Sequence, residues 1–297
     1  MTQKTPKVSV IIPVYNEEDR MYDCLWAITH QVEKPHEIIV VDNNSRDQTA
    51  IIARRFKSVR VVSETKQGLT YARNKGFEVA EGDILARIDA DTIVPSDWVK
   101  KVREAFELDP ELAGLTGYGR TRAGVTVPVF SDIWSWAYFT HTKAFFGHTM
   151  LWGANMAVRK TAWLKASKLC CLDDSHVHED QDLSLALAAT GARVKIDPAL
   201  TVSVDFGDIQ YIDKFWVYYR KKHHTRAVHQ LHYRSKLVTI QPISRTRRFG
   251  YHLLASYTVG LFMALTTLNS ARRELVIISK ESSVYFWYQK IKSDLEF

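Results

Sequence analysis

Residues Lys7–Asn16, KVSVIIPVYN, form a nearly unbroken apolar run closed by Pro, Tyr and Asn. A strand with water on one face alternates apolar and polar side chains. A continuous run instead marks a strand covered on both faces, as in a parallel sheet flanked by helices. The pattern recurs in HEIIVVDNNS (His36–Ser45), SVRVV (Ser58–Val62) and DILARI (Asp83–Ile88). Between these runs, Asp19–His30 carries Met21, Cys24, Leu25 and Ile28 at helical spacing. Asp47 is placed to cap a helix to about Phe56, Gly68–Ala80 reads as a loop entering a helix, and Ser96 is placed to cap one to about Leu108. Strands alternating with helices at this spacing predict an α/β fold with a doubly wound, mostly parallel sheet. Ligands of such sheets bind beyond the carboxyl ends of the strands.

Carboxylates gather at those ends. Asp42 closes the second run, and Asp89 and Asp91 close the fourth in ILARIDADTIVPSDW (Ile84–Trp98). At i and i+2 of an extended segment the pair shares one face, and two carboxylates that close repel unless something positive lies beside them. Arg87, two residues earlier on the same face, could supply an ion pair. A hard divalent cation is the other candidate, since such ions take one or two carboxylates plus substrate phosphates. The pair alone leaves both open.

The second half is less regular. FSDIWSWAYFTHTKAFFG (Phe130–Gly147) is dense in aromatics, suiting core, a hydrophobic lid or an acceptor groove. LWGANMAVRK (Leu151–Lys160) reads as a strand with Gly153 at a close backbone approach. HEDQDLSLALAATGARV (His178–Val194) enters a helix that buries Leu183, Leu185, Ala186 and Leu187 and ends at Gly191. Glu179, Asp180 and Asp182 suit the positive end of its dipole. DDSHVHED (Asp173–Asp180) could also be a His/Asp metal cluster, but the spacing of His176 and His178 fits neither HExxH nor a two-metal hydrolase pattern.

The chain has 297 residues, 46% hydrophobic and 25% charged, an ordinary globular composition. Three cysteines, Cys170 and Cys171 adjacent, form no disulfide framework or CxxC pair, which favours a reducing compartment. No long apolar stretch precedes the first run, so no secretory signal is expected. Charge is unevenly spread. Up to Asp213 there are 25 Lys/Arg against 29 Asp/Glu, whereas Lys214–Arg273 has 12 Lys/Arg and no acid. This asymmetry divides the chain into an acidic body, residues 1–210, and a basic helical region, 211–297. Within the latter, Phe249–Ala271 lacks Lys, Arg, Asp and Glu and follows RTRR (Arg245–Arg248). The stretch is long enough to span a bilayer, which takes about 20 apolar residues, yet it is diluted by His, Ser, Tyr and Thr. Ser256, Gly260 and Ala264 form a small-residue stripe suited to helix contact, so insertion, packing on the body and a homodimer through this helix all stay open. The basic run favours an anionic membrane surface, on the cytoplasmic side.

Six segments fall in one order: PVYNEE, VDNNSRDQT, GLTYARNKG, DADT, GANMAVRK and HED. Together they closely resemble the family 2 glycosyltransferases of the GT-A fold, over about Val8–Val194, roughly two thirds of the chain. The resemblance implies an inverting transferase that uses a nucleoside diphosphate sugar, UDP-linked by preference, and Mg²⁺ or Mn²⁺. Tyr15 would lie against the base, Pro13 would shape the turn, and Glu17 would sit near the ribose. Asp42 would accept from a base N–H, and Arg73 would lie near the nucleotide or sugar. Asp89 would contact the ribose, the donor sugar or the metal, and Asp91 would bind the metal. Gly153 would leave room for donor or acceptor, and Asp180 would be the base with Glu179 beside it. The Q-x-x-R-W motif of processive synthases is absent from QYIDKFWVYYRKKHH, although Arg220 or Lys221 could still approach the diphosphate.

The expected acceptor is a saccharide or lipid-linked hydroxyl in cell-envelope glycan synthesis. A nucleotidyltransferase would want a Gly-rich, basic loop after the first strand, where PVYNEEDR is acidic. A non-catalytic binder of nucleic acid or membrane could use the basic tail but has no need of Asp42, Asp91 and Asp180 at element ends. No nucleic-acid partner is expected.

Overall fold

In the computed structural model, which describes residues 5–121, 128–204 and 212–232, the first apolar run is strand β1 (Val8–Val14), buried along its whole length. It is followed by α1 (Glu18–Thr29), β2 (Glu37–Asp42), α2 (Thr49–Arg54), β3 (Val59–Ser63), α3 (Leu69–Val79), β4 (Ile84–Arg87) and α4 (Trp98–Leu108). The second half adds β5 (Leu112–Thr121), α5 (Pro128–Phe146), β6 (Met156–Arg159), α6 (Lys160–Ala166), α7 (Glu179–Ala189), β7 (Arg193–Val204) and α8 (Ile212–His232).

The sheet runs β3-β2-β1-β4-β6-β5-β7, and β6 alone is antiparallel to its neighbours β4 and β5. The chain winds outward from β1 through β2 to β3, then returns to lay β4 on the free edge of β1. That reversal leaves a crevice at the carboxyl ends of β1 and β4, the topological switch point where doubly wound sheets bind ligands.

Two apolar layers explain why β1 reads as a continuous run. Val8, Val10, Ile12 and Val14 face a core completed by Met21, Cys24 and Leu25 of α1 and Trp98, Val99, Val102 and Phe106 of α4. Ile11, on the other face, meets Ala72 and Phe77 of α3 and Leu183, Ala186 and Leu187 of α7. Period-two alternation sends successive side chains to opposite layers, so both sets are apolar apart from Ser9, which is buried and donates to Glu37 Oε1 (2.6 Å).

Several local expectations change. Asp97, not Ser96, precedes α4, and it makes no side-chain cap. Asp47 lies two residues before α2, where it still accepts the Thr49 N–H (3.0 Å) and also reaches the Glu18 N–H of α1 (3.2 Å). The aromatic stretch Phe130–Gly147 falls largely in α5, with Phe139, Phe145 and Phe146 buried and Ile133 and Trp136 exposed. In LWGANMAVRK only Met156–Arg159 is strand, because Gly153–Asn155 forms a 3₁₀ turn. Among the described residues no helix is long and apolar enough to cross a membrane. Phe249–Ala271 and the RTRR cluster lie outside the described residues.

Gly76 shows how tightly α3 rests on the sheet. A Cβ there would overlap Ile11 Cγ2 and lie 3.0 Å from Val41 Cγ2. Gly76→Ala gains about 1 kcal/mol of helix propensity but overpacks a filled core, which costs about 1–3 kcal/mol. The expected result is a net loss of stability, read as a lower urea midpoint with an unchanged m-value; a raised midpoint would show that the layer can yield.

Candidate active site

Two asparagines turn the chain at the switch point. Asn16 after β1 and Asn44 after β2 have φ of 54° and 65°, a left-handed conformation that asparagine tolerates better than most residues. The two turns are stitched together: the Asn16 N–H donates to Ser45 Oγ (3.1 Å) and the Arg46 N–H to Asn16 Oδ1 (2.8 Å). Beside them lies a cleft of about 380 Å³ whose lining includes Pro13, Tyr15, Glu17, Asp89 and Asp91. The Tyr15 side chain is 46% exposed, an apolar ring left open at the rim.

Under this cleft is a buried set of charges. Arg87, the last residue of β4, donates through Nη2 to Asp89 Oδ1 (2.6 Å) and through Nη1 to Glu179 Oε1. Arg73 of α3 donates through Nη1 to the other Glu179 carboxylate oxygen and to its carbonyl (2.7 Å). Glu179 is therefore held between two guanidiniums that are themselves out of water. Burial pushes its carboxyl up, but the charges of Arg87 and Arg73 outweigh that and hold it below the usual range. Burial likewise opposes the Arg87 charge, and Asp89 and Glu179 more than restore it. Gly153 belongs to the same arrangement, since a Cβ there would lie 2.6 Å from Arg87 Nη1. Its bareness makes room for the guanidinium.

Asp180 differs from its neighbour. It is half-buried, and Oδ2 accepts the Gly153 N–H (3.1 Å). Burial first and the Glu179 charge second push its carboxyl up to about 7, against the pull of the Gly153 N–H and Arg87. Adjacent acids whose environments drive them apart are the usual sign of one structural and one proton-transferring group. Asp182, fully buried, accepts from the Cys171 N–H (2.9 Å) and pairs with His229 Nε2 of α8 (2.7 Å). The His178 N–H donates to Thr225 Oγ1 (2.9 Å), so α8 clasps the start of α7 at two points.

Of the residues expected at the nucleotide and metal, the cleft thus gathers Pro13, Tyr15, Glu17, Asp89 and Asp91. Asp42 adjoins the lining without being part of it, and its Oδ1 accepts the Ser45 N–H (3.1 Å). Arg73, Gly153 and Glu179 lie in the charged layer instead. Lys221 Nζ donates to the Asp174 carbonyl (2.8 Å), and Arg220 is exposed.

Two residues had no role in the sequence reading. Asn43 is buried, donates to the carbonyls of Glu64 (2.8 Å) and Lys66 (2.7 Å), accepts the Gly68 N–H (2.8 Å), and lines the cleft. Asp174 accepts the Thr70 N–H (3.0 Å), tying the loop before α7 to the start of α3. The signal for Asn43 was a second polar side chain, directly after Asp42, at the end of an apolar strand; Asp174 was marked only by its place in the DDSHVHED run.

Asp89 and Asp91 suit a hard divalent ion. Both are carboxylates at the cleft, Asp89 has one oxygen engaged by Arg87, and no group of three or more His, Cys, Asp or Glu among the described residues could cage a metal unaided. Two carboxylates plus diphosphate oxygens is a common way to hold such an ion.

Residues 9–163 match the sequence model of the family described as Glycosyl transferase family 2. Glycosyltransferase AglE of Haloferax volcanii is 41% identical over 108 residues, 34% of this chain and 36% of that protein. A Methanococcus voltae relative, a dolichyl N-acetyl-α-D-glucosaminyl phosphate 3-β-D-2,3-diacetamido-2,3-dideoxy-β-D-glucuronosyltransferase, is 23% identical over 66% of each chain. The first relatives are thus matched over only about a third of their own length. Among solved structures, the mannosyltransferase PcManGT of Pyrobaculum calidifontis, in complex with GDP-Man and Mn²⁺, has a TM-score of 0.60 at 18% identity, over 98% of this chain and 85% of that one.

Removing one partner of a buried ion pair leaves an uncompensated charge and costs about 3–5 kcal/mol. Glu179→Gln leaves two buried guanidiniums facing a neutral amide, so a loss of about that size is expected in the unfolding free energy from urea denaturation. Because the folded carboxyl lies below its unfolded value, its contribution is present above the unfolded value and is lost as pH falls through the folded one. The wild-type and Glu179→Gln midpoints should therefore converge on acidification; a constant gap would remove Glu179 from that role.

Proposed function

Because the chain belongs to glycosyl transferase family 2, we propose that it transfers a sugar, with inversion, from a nucleoside diphosphate donor to an acceptor hydroxyl. UDP-sugars are the favoured donors, and a saccharide or lipid-linked acceptor of cell-envelope glycan synthesis is the favoured partner. The observation that carries the proposal is the cleft at the β1/β4 switch point, where an open tyrosine ring and two carboxylates stand together.

Each residue has a task. Tyr15 stacks on the base, Pro13 sets the turn beneath it, and Glu17 meets the ribose. Asp42 takes a base N–H at the edge of the cleft, where Asn43 fixes the wall. Asp91 binds Mg²⁺ or Mn²⁺ with Asp89, which is aimed by Arg87 and also contacts the donor. The ion would neutralise charge on the departing nucleoside diphosphate. Asp180 removes the proton from the acceptor hydroxyl as it attacks the anomeric carbon. Its raised pKa suits that task, since a base near neutrality combines availability with driving force. Arg73, Glu179 and Gly153 hold Arg87 and Asp180 in place.

The Mn²⁺ in the Pyrobaculum structure and the dolichyl N-acetylglucosaminyl phosphate in the name of the Methanococcus relative, a lipid-linked saccharide, accord with these assignments. Residues 1–210 would form the catalytic domain, and the basic run Lys214–Arg273 would attach it to an anionic membrane face on the cytoplasmic side, at about 1 kcal/mol per charge near the surface. The C-terminal stretch could also join two copies.

Calorimetric titration with UDP and Mn²⁺ tests the donor half: binding is expected, and no heat with or without metal would sink the proposal. In a donor screen read by nucleotide release, Asp91→Ala should lose metal-dependent turnover. Asp180→Asn should lower kcat by about 10²–10⁴-fold, the usual worth of a general base. For the wild type, kcat/KM should rise with pH through about 7 as Asp180 loses its proton, then level off. An Asp180→Asn enzyme with the same acidic limb would move the base elsewhere.

A further inference from the structure

The Gly153 N–H that meets Asp180 belongs to a short 3₁₀ turn, Gly153–Asn155, and Asn155 at its end is fully buried. Asn155 Oδ1 accepts the indole N–H of Trp98, the first residue of α4 (2.9 Å). Because an indole nitrogen can only donate, this contact sets which way the amide faces. Asn155 Nδ2 then donates to two carbonyls, those of Leu200 in β7 (2.6 Å) and Tyr118 in β5 (3.2 Å). One amide joins the turn to three elements.

The sheet is shaped around that amide. Pairing between β5 and β7 loses register after Gly117, which faces Asp197, so that Gly119 faces Val202. Tyr118 and Leu200 both lie inside the break, and such irregularities commonly re-aim groups beside active sites. A Cβ on Gly117 would overlap the Leu200 carbonyl and lie 2.6 Å from Asn155 Nδ2. Thr116 fixes the backbone of the turn, donating from Oγ1 to the Asn155 carbonyl (2.7 Å) and accepting the Trp152 N–H (3.2 Å). On the α7 side, Ser184 Oγ accepts the Leu151 N–H (2.8 Å) and donates to the Asp180 carbonyl (2.6 Å). Leu151–Asn155 is thus a bridge, held to the sheet by Asn155 and Thr116 and to the first turn of α7 by Ser184 and Asp180.

A residue needed only to fill volume would not be an amide with its oxygen and both of its donors engaged by different elements. We infer that Asn155 is a positioning residue for proton transfer: its amide, with the Thr116 hydroxyl, fixes the turn so that the Gly153 N–H holds the Asp180 carboxylate in place. This inference rests on Asp180 being the base of a sugar transfer and adds the part of the sheet that aims it. Asp180 is faced by the charges of Glu179 on its own helix and Arg87 of β4, and the Gly153 N–H adds a pull that favours the ionised carboxylate. Loosening the turn weakens that pull, so Asp180 would then lose its proton at higher pH.

The test reads Gly153 directly, in the full chain labelled with ¹⁵N-glycine. Its amide shift should follow pH with a midpoint of about 7 in the wild type and lose that response in Asp180→Asn. In Asn155→Ser and Thr116→Val the midpoint should rise by about half a pH unit or more. The Gly153 amide should also exchange with solvent about tenfold faster or more. Val102→Ala, a truncation in the buried face of α4, should lower the urea midpoint and leave both Gly153 readouts unchanged. In turnover, read by nucleotide release, the Asn155 and Thr116 variants should lose kcat by about 10–10²-fold, as small misplacements at a reacting centre do. Their donor KM should hold, because neither residue lines the cleft. Thr116→Val keeps the shape of the side chain and carries the test if Asn155→Ser does not fold. An unmoved midpoint in a folded Asn155 or Thr116 variant overturns the inference, as does an equal shift in Val102→Ala. If Asp180→Asn keeps wild-type turnover while the Gly153 responses appear as described, the base assignment falls and the hold of Asn155 on the carboxylate stands.

Discussion

The grip of Arg87 and Arg73 on Glu179 is the constraint on which the rest of the site depends. It joins β4, α3 and α7, which are remote in sequence: Glu179 is 106 residues from Arg73 and 92 from Arg87. The same Arg87 guanidinium aims Asp89 at the cleft and lies against Gly153, whose N–H fixes Asp180. One side chain at the end of one strand thus sets the position of a residue at the cleft and of the residue proposed as base.

The first turn of α7 shows how burial and partners divide three similar residues. Glu179, between two guanidiniums, stays ionised below the usual range. Asp180, next to that charge and short of cations, is pushed up to about 7. Asp182, three residues beyond Glu179, faces away to His229 and the Cys171 N–H. All three suit the positive end of a helix, which explains their placement without telling them apart. Their division of labour comes from tertiary partners.

That distinction also describes what the sequence could disclose. β1, β2 and β4 were legible because strands covered on both faces leave continuous apolar runs, and Asp89 and Asp91 stood out because they close such a strand; Pro13, Tyr15 and Glu17, which line the same cleft, were singled out only by the resemblance of the ordered motifs. β5 (LAGLTGYGRT) was not, since its glycines and polar residues hide a buried strand. α5 was not recognised as a helix because aromatics occupy both its buried and exposed faces. Ordered motifs flagged Arg73, Gly153 and Glu179 as site residues, but a local pattern cannot show whether a charged side chain faces a ligand or another side chain a hundred residues away. Gly153 read as a close approach, and its neighbour is the Arg87 guanidinium.

Stability alone does not account for so much buried charge. Replacing a buried ion pair or triad with well-packed apolar residues is often neutral or stabilising, because desolvation offsets the Coulombic gain. An apolar plug between β4, α3 and α7 could hold the elements together equally well. It could not supply a fixed negative charge beside Asp180 to keep that carboxyl basic, nor a guanidinium that occupies one oxygen of Asp89 and leaves the other for a ligand. The triad is better understood as an electrostatic frame, in which each ionised group sets the protonation or orientation of a residue facing the cleft. On that view the bare backbone at Gly153 is as much a part of the site as the carboxylates, because any larger residue would displace the guanidinium on which both sides depend.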